Sequence, residues 1–405
     1  MCAPMWPSSA ARSTNQRSIC PWSLTRAPSA QVDWGDADVI LNGVQQTVQI
    51  FVMRLCYSRK ICIRAYPSQK QESFFEAHVH AFHHVQGVPQ RLSYDNLATA
   101  VKKVLTGHHR EEQAAFIVFR SHYLFESFFC TVGEGHEKGG VEHGVGFARR
   151  NFMVPLIVAA SFDDLNAQLR QRCLEDDQRH VDRQPTTIGA AWCHEQPLLR
   201  PLPQRDLPCC VQRIATLTPY SQVVFETNRY AVPVDQAVRQ LTLKAYPFVV
   251  EILHDDRVLA RHPRSYQREQ DIFDPLHYLP LLEQRPAAFE HAKPMRRWRE
   301  DWPLAYKRLL FRLRERWPDG RGVREFVRVL RLLSDYPAPL LEQAIDQALE
   351  FGCLDVEGVR LCLHQLHAPD QAPATLDLSR HPPLSSIGAP PIDLTPYETL
   401  LTGGA

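Results

Sequence analysis

Three acidic side chains stand in local settings that suit metal-dependent chemistry: Asp33 in Gln31-Val32-Asp33-Trp34-Gly35, Asp95 in Ser93-Tyr94-Asp95-Asn96, and Glu142 in Lys138-Gly139-Gly140-Val141-Glu142. A carboxylate on a first strand, a second at the end of a later strand and a third on a following helix can converge on divalent cations. That arrangement performs phosphoryl transfer on nucleic acid, with two ions about 3.5–4 Å apart serving the attacking and leaving oxygens. Carboxylate oxygens suit Mg²⁺, which keeps several waters and so leaves positions open for phosphate. Without metal, two carboxylates at ~4 Å repel by roughly 4 kcal/mol at an effective dielectric near 20. The site is therefore expected to be loosely ordered, or partly protonated, until metal arrives.

Each acid also has an ordinary reading, since an Asp near a turn commonly caps or is solvated. Asp36 and Asp38 rival Asp33, and Glu134 and Glu137 rival Glu142. Glu137 points off the face of Glu142 and reads as a helix-start charge favoured by the dipole. It is the joint occurrence of Asp33, Asp95 and Glu142, in order, that separates them from these rivals. Lys138, Glu142 and Arg149 are spaced by four and seven residues, which puts them on one helical face. A carboxylate flanked by cations on a common stripe suits metal coordination beside a DNA phosphate.

The elements that must position these acids follow from the apolar pattern. Residues 31–41 read as a strand, Asn42-Gly43 favours a type I′ hairpin turn, and residues 44–55 return with Val48, Ile50 and Val52 alternating. A third strand covers 60–65, and 69–86 has helical spacing with Phe75, Val79 and Phe82 on one face. A fourth strand, 91–94, delivers Asp95 at its end. Three antiparallel strands, a helix and a strand returning beside the first are the opening of a ribonuclease H-like fold. Helices are then expected at 98–105 and 111–123, a strand-like run at 124–132, and a helix at 137–152. The histidines His78, His80, His83 and His84 include an i, i+4 pair, but no Glu of the H-E-x-x-H kind lies between them. They read as a polar helix face rather than a zinc site.

Composition places the chain among soluble proteins of two or three domains: 405 residues, 44% hydrophobic and 22% charged. No apolar run approaches the ~18 residues of a membrane span. The eleven cysteines form no C-x-x-C pair and read as reduced thiols in a cytosolic protein. The net charge of +1 hides an asymmetry: residues 285–331 carry fourteen Lys or Arg against six Asp or Glu, so they hold +8 and the remainder −7.

The pattern divides the chain into a disordered or foreign leader (1–30), a catalytic core (31–176), a Pro-, Gln- and Arg-rich linker (177–212), a β-rich stretch (213–270), a basic helical region (271–367) and a Pro-rich tail (368–405). In the β-rich stretch, runs at 222–225, 229–232, 240–245, 248–253 and 258–262, with Asp255-Asp256 as a turn, suggest a small barrel. In the helical region Arg296, Arg297, Arg299, Arg308, Arg312, Arg316, Arg324 and Arg328 lie off the apolar stripes and are expected to neutralise phosphates, which makes binding steeply salt-dependent.

Gln31-Val32-Asp33-Trp34-Gly35, Tyr94-Asp95-Asn96, the Lys-Gly-x-Val-Glu segment ending at Glu142 and the trailing Arg149-Arg150-Asn151-Phe152 together resemble the IstA-type transposases, DDE recombinases of the insertion-sequence-21 family. The resemblance covers about residues 30–401. It implies an α/β ribonuclease H-like (integrase-type) core, a small β-barrel and a helical C-terminal region. Asp33, Asp95 and Glu142 become the catalytic acids, holding two Mg²⁺ (or Mn²⁺) ions. The implied reaction is hydrolytic nicking that frees a 3′ hydroxyl at each element end, then attack of that hydroxyl on a target phosphodiester. The implied partners are double-stranded DNA of element ends and target, a further copy of the chain on paired ends, and a separately encoded AAA+ helper ATPase, in a bacterial cytoplasmic, nucleoid-associated setting. No G-x-x-x-x-G-K-[ST] loop supplies an ATP site in this chain. Lys138, Arg149 and Arg150 beside the acids, Arg229, Lys244 and Arg264 in the barrel, and Arg296, Arg297 and Arg312 beyond it are the expected DNA contacts.

Relatives begin with a helix-turn-helix region, whereas an irregular leader precedes Asp33 here. This sets up a second expectation, a truncated, non-catalytic DNA-binding or subunit-mixing protein that modulates a full-length transposase. A third, a generic metal nuclease, would cut without joining.

Overall fold

A computed structural model describes residues 28–94, 101–104, 110–129, 142–181, 184–236 and 238–367, with backbone alone for 101–104, 110–112 and 142–143. The chain forms two units, Met1–Asp274 and Pro275–Ala405.

The first unit is built on a long strand, β1 (Ser29–Leu41), which pairs antiparallel with β2 (Val44–Leu55) from Ala30↔Leu55 to Leu41↔Val44. Asn42 and Gly43 join them at φ 50° and 76°, the left-handed pair that a type I′ turn needs and that Asn-Gly adopts most readily. Strand β3 (Ile61–Tyr66) extends the sheet antiparallel to β2. Helix α1 (Gln71–Val85) then crosses one face and ends at Gln86, whose left-handed backbone N–H reaches the carbonyl of His83. Strand β4 (Arg91–Tyr94) returns parallel to β1, with Val32 opposite Tyr94.

Strands β5 (Val101–Val104) and β6 (Arg110–Glu112) pair as a short antiparallel ribbon. This replaces the helix expected over 98–105: Val101 and Val104 are β-branched and favour extended backbone. Helix α2 (Ala114–Tyr123) and strand β7 (Glu126–Phe129), parallel to β4, follow. Helix α3 (Glu142–Phe152), strand β8 (Val158–Ala159), paired with the far end of β1, and helix α4 (Phe162–Asp176) complete the layer. The strand order β3-β2-β1-β4-β7, antiparallel on one side of β1 and parallel on the other, is the ribonuclease H-like order.

The sheet is buried on both faces, which is why β2 reads as an unbroken apolar run from Ile50 to Met53. Phe51 and Met53 join Val32 against Phe74 and Phe82 of α1 and Phe116 and Phe119 of α2. Ile50 and Val52 join Ala37 and Val39 against Val145 and Ala148 of α3 and Leu165 and Leu169 of α4.

The expected linker contains helix α5 (Ile188–Glu195), capped by the Thr187 hydroxyl, which accepts from the Ala190 N–H. Trp192 packs on the first of these cores, and the buried Glu195 carboxylate accepts the Ser58 N–H at 3.0 Å. Beyond it, β9 (Val211–Thr216), β10 (Gln222–Phe225), β11 (Asn228–Ala231), β12 (Gln240–Ala245), β13 (Val249–His254), β14 (Arg257–Pro263) and β15 (Asp271–Ile272) form two small sheets, β14-β13-β12-β9 and β10-β11-β15. One core that includes Val223, Tyr230, Leu243 and Ile252 lies between them. The strands expected as a small barrel are thus distributed over two sheets. They are joined by β9, whose exposed Ile214 hides the alternation that marks a strand.

The second unit is helical: α6 (Leu279–Gln284), α7 (Lys293–Trp298), α8 (Leu304–Arg316), α9 (Arg321–Arg331), α10 (Ala338–Phe351) and α11 (Val356–His367). Leu309 and Leu313 of α8, Phe326 and Leu330 of α9, Leu341 and Ile345 of α10 and Leu363 of α11 share its core. Among the described residues no helix is long and apolar enough to cross a membrane.

Candidate active site

Asp33 lies on β1 opposite Val52, half-buried, on the face covered by α3. Its Oδ1 accepts the Trp34 N–H at 2.8 Å. A glycine on each element faces the contact between α3 and this strand, and the one on the strand permits it. A Cβ built on Gly144 would stand 3.9 Å from the Asp33 Cβ and 3.8 Å from a Val52 methyl, ordinary contact distances. A Cβ built on Gly35 would stand 2.4 Å from a Val145 methyl, so the helix can rest where it does only because residue 35 has no side chain. Further along α3, Arg149 Nε donates to the Asp36 carbonyl at 2.5 Å. Helix and strand are therefore fixed at two points, and the first described residue of that helix is Glu142.

Strand β4 ends at Tyr94 beside Val32, the residue before Asp33. Asp95 follows Tyr94 in the chain and falls, with Lys138, outside the described residues, as does the side chain of Glu142. Among the described residues no three of His, Cys, Asp and Glu gather to hold a metal ion, and of the three expected acids only Asp33 has a described side chain. The donors expected at the site are hard carboxylate oxygens of the kind Mg²⁺ takes.

The aromatic neighbours of Asp33 face the other way. Trp34 lies against Phe51 and Tyr66, with centroids 5.5 and 5.8 Å away, and Tyr66 stacks on Phe248 of the small sheets at 5.6 Å. Beside that stack, Arg264 is fully buried and its Nη1 pairs with the buried Glu72 of α1 at 2.6 Å. Its Nη2 reaches Glu226 at 3.1 Å, and its guanidinium lies over Tyr266 at 4.8 Å. Arg264, expected on a DNA-facing surface, instead fastens the small sheets to the ribonuclease H-like layer.

The other expected DNA contacts are distributed as follows. Arg149 and Arg150 are exposed on α3, Arg149 with its Nε engaged as above. Arg229 of β11 is ion-paired with Asp271 of β15, and Lys244 is half-exposed on β12. Arg296 and Arg297 are exposed on α7, and Arg312 on α8, where it lines a groove with Arg308, Phe311 and Asp346. Arg299 is tied to Glu290, and Arg324 and Arg328 to Glu283.

The histidines do not form a single polar face. His78 is wholly buried among aromatic rings, its Nδ1 2.7 Å from the Phe74 carbonyl and its Nε2 3.0 Å from the Tyr94 hydroxyl. Burial pushes its pKa down to about 4. His83 stands 2.8 Å from Asp206, and His80 3.7 Å from Glu76. Sequence reasoning also passed over Gly35 and Gly144. The available signal was glycine inside a strand and inside a helix, where it lowers stability unless close packing requires it.

Comparison with known proteins bears on the whole chain. Residues 202–274, the two small sheets, match the family described as Mu transposase, C-terminal domain. A transposase of Aminobacter aminovorans is 32% identical over 396 residues, covering 96% of this chain and 76% of the relative. The transposase for insertion sequences IS1326/IS1353 of Pseudomonas aeruginosa is 32% identical over 349 residues, 84% of this chain and 67% of its own. The transposase for insertion sequence element IS21 of the same organism is 27% identical over 256 residues, 63% and 65% of the two chains. With a ribonuclease H-like layer in place and identity of this extent along most of its length, the chain belongs to the IS21/IS1326-type transposases.

Proposed function

We propose that the chain is a DDE-type polynucleotidyl transferase that cleaves the 3′ ends of its insertion element and joins them to target DNA, with Asp33, Asp95 and Glu142 as the catalytic acids. The observation that carries this reading is the close seat of α3 on β1: the helix whose first described residue is Glu142 packs its Gly144 onto Asp33. A strand and a helix locked together in this way supply carboxylates from rigid elements, which is what a transition state tolerant of only small misplacement requires. Bound there, two Mg²⁺ or Mn²⁺ ions would polarise the attacking and leaving oxygens.

Asp33, Asp95 and Glu142 would hold those ions, and Lys138, Arg149 and Arg150 would orient the phosphate that reacts. Hydrolysis of one phosphodiester frees the 3′ hydroxyl, and its attack on the phosphorus of a second displaces the target strand's own 3′ oxygen and joins element to target. Arg229, Arg296, Arg297 and Arg312 contact flanking DNA through its backbone. The small sheets act as a barrel-like DNA support, a second copy of the chain binds the other element end, and an AAA+ helper ATPase supplies target choice.

The test is Mg²⁺-dependent strand transfer with pre-cut element-end duplexes. Wild-type joining that disappears in Asp33→Asn, Asp95→Asn and Glu142→Gln alike is the expected result. A wild type that binds the ends without cutting or joining would turn the reading toward a non-catalytic modulator, and cutting without joining toward a plain nuclease.

A further inference from the structure

Helix α9 carries Arg321, Arg324, Arg328 and Arg331, spaced three, four and three residues apart, so the four share one face. All are exposed, while Phe326, Val327 and Leu330 enter the core. The helix has no acid in its first turn. Arg321 and Arg324, in the first turn, oppose the helix dipole, whereas Arg328 and Arg331, in the last turn, suit it, so the dipole accounts for only half of the row. Every cation on it is Arg, whose planar fork matches phosphate better than the point charge of Lys.

Two carboxylates meet this row, and one of them, Glu283, bridges two of its arginines. Arg328 Nε donates to Glu283 Oε1 at 2.9 Å, Arg331 Nη1 to Oε2 at 2.5 Å, and Arg324 Nε to the Glu283 carbonyl at 3.2 Å. Each carboxylate oxygen thus meets a different guanidinium, as two oxygens of a phosphodiester would. Burial alone would raise the Glu283 pKa, but hydrogen bonds from Arg328 and Arg331 outweigh it and hold the carboxyl below the usual range. Arg328 also bonds Glu325 at 2.6 Å, and Arg360 of α11 lines the adjoining groove with Arg328 and Arg331.

We propose that the α9 arginine row is a backbone-binding surface for double-stranded DNA, and that Glu283 occupies it as an intramolecular competitor until DNA displaces it. From Arg321 to Arg331 the helix rises about 15 Å, the axial span of about four phosphates of one strand. An acidic polypeptide has no such fixed charge spacing. The proposal rests on the DNA-acting reading above and adds to it both a surface and its regulation.

The experiment is fluorescence anisotropy of a short duplex with the full chain, titrated with salt and without divalent cation, so that its outcome is independent of chemistry at Asp33. Glu283→Gln is expected to tighten binding about two- to thirtyfold, the range that release of two exposed ion pairs allows. Replacing all four arginines by Ala is expected to lower the slope of log K against log salt by about three to four, at ~0.9 for each phosphate no longer neutralised. Thermal melts check folding, and if the fourfold variant does not fold, the single surface change Glu283→Gln carries the test. Unchanged affinity in Glu283→Gln, an unchanged slope in the fourfold variant, polyglutamate binding as tightly as duplex, or no duplex binding by the wild type would each overturn the proposal. Intact binding with failed strand transfer would instead count against the catalytic reading alone.

Discussion

Replacing Gly35 by Ala separates the positioning of the proposed site from its chemistry. The added Cβ falls 2.4 Å from one Val145 methyl, 3.1 Å from the other and 3.3 Å from the Val145 Cβ. Contact between carbons is comfortable at about 3.5–4.0 Å, so α3 must retreat from β1 by ~1 Å. Rotating Val145 offers little relief, because both methyls are involved and a β-branched side chain in a helix has one favoured rotamer. Overpacking of this kind costs about 1–3 kcal/mol of stability. A shift of ~1 Å between reacting groups costs about 100-fold in rate, so joining should suffer far more than folding. The assays are urea unfolding and Mg²⁺-dependent strand transfer, run on Gly35→Ala and on Gly35→Ala/Val145→Ala. The second substitution removes the methyls that collide and is expected to recover most of the joining rate. Full activity in Gly35→Ala, or a double variant no better than the single one, would refute the claim that the seat of α3 on β1 sets the catalytic geometry.

Two further outcomes follow from buried charge, and one from the acids themselves. His78 has a pKa of about 4 when folded against an ordinary 6.5. The unfolded chain therefore binds more protons between those values. Stability is full above about pH 6.5 and is lost as pH falls toward 4, by roughly 3 kcal/mol. His78→Phe should flatten that loss in urea titrations across this range, and an unaltered pH dependence would count against it. Removing one partner of the buried Arg264 and Glu72 pair, as Arg264→Met or Glu72→Gln, should cost about 3–5 kcal/mol. Arg264→Met/Glu72→Gln should cost less than the sum of the single changes, and chemical denaturation that finds simple additivity would argue against a coupled pair. Asp33→Asn should abolish joining with little loss of fold, as circular dichroism beside the strand-transfer assay would show.

Much of the layer around Asp33 was legible because local chemistry and global pairing agree there. Asn42-Gly43 dictates its turn, and the alternation on both sides of it sets the register that places Asp33 opposite Val52. Features decided by tertiary packing were less visible. His78 reads as one polar residue in a helix, yet aromatic rings from several elements enclose it. Arg264 reads as a surface cation because its partner Glu72 lies far away along the chain. The stretch after Asp176 looks like a linker by composition, but Trp192 and Glu195 anchor it to the layer. Of the site itself, the sequence offered three acids, and the reason α3 can lie on β1 is a missing side chain, that of Gly35. An absent Cβ leaves no chemical signature until its neighbour is known.

The ring stack that runs from Trp34 through Tyr66 to Phe248 has a mechanical meaning. Phe248 belongs to the module that matches the Mu C-terminal family, and Trp34 is bonded directly to Asp33. Close-packed rings transmit displacement rather than absorbing it. On the function proposed above, a torque applied by DNA to the small sheets would reach the strand that carries Asp33 through these rings, without passing through a hinge.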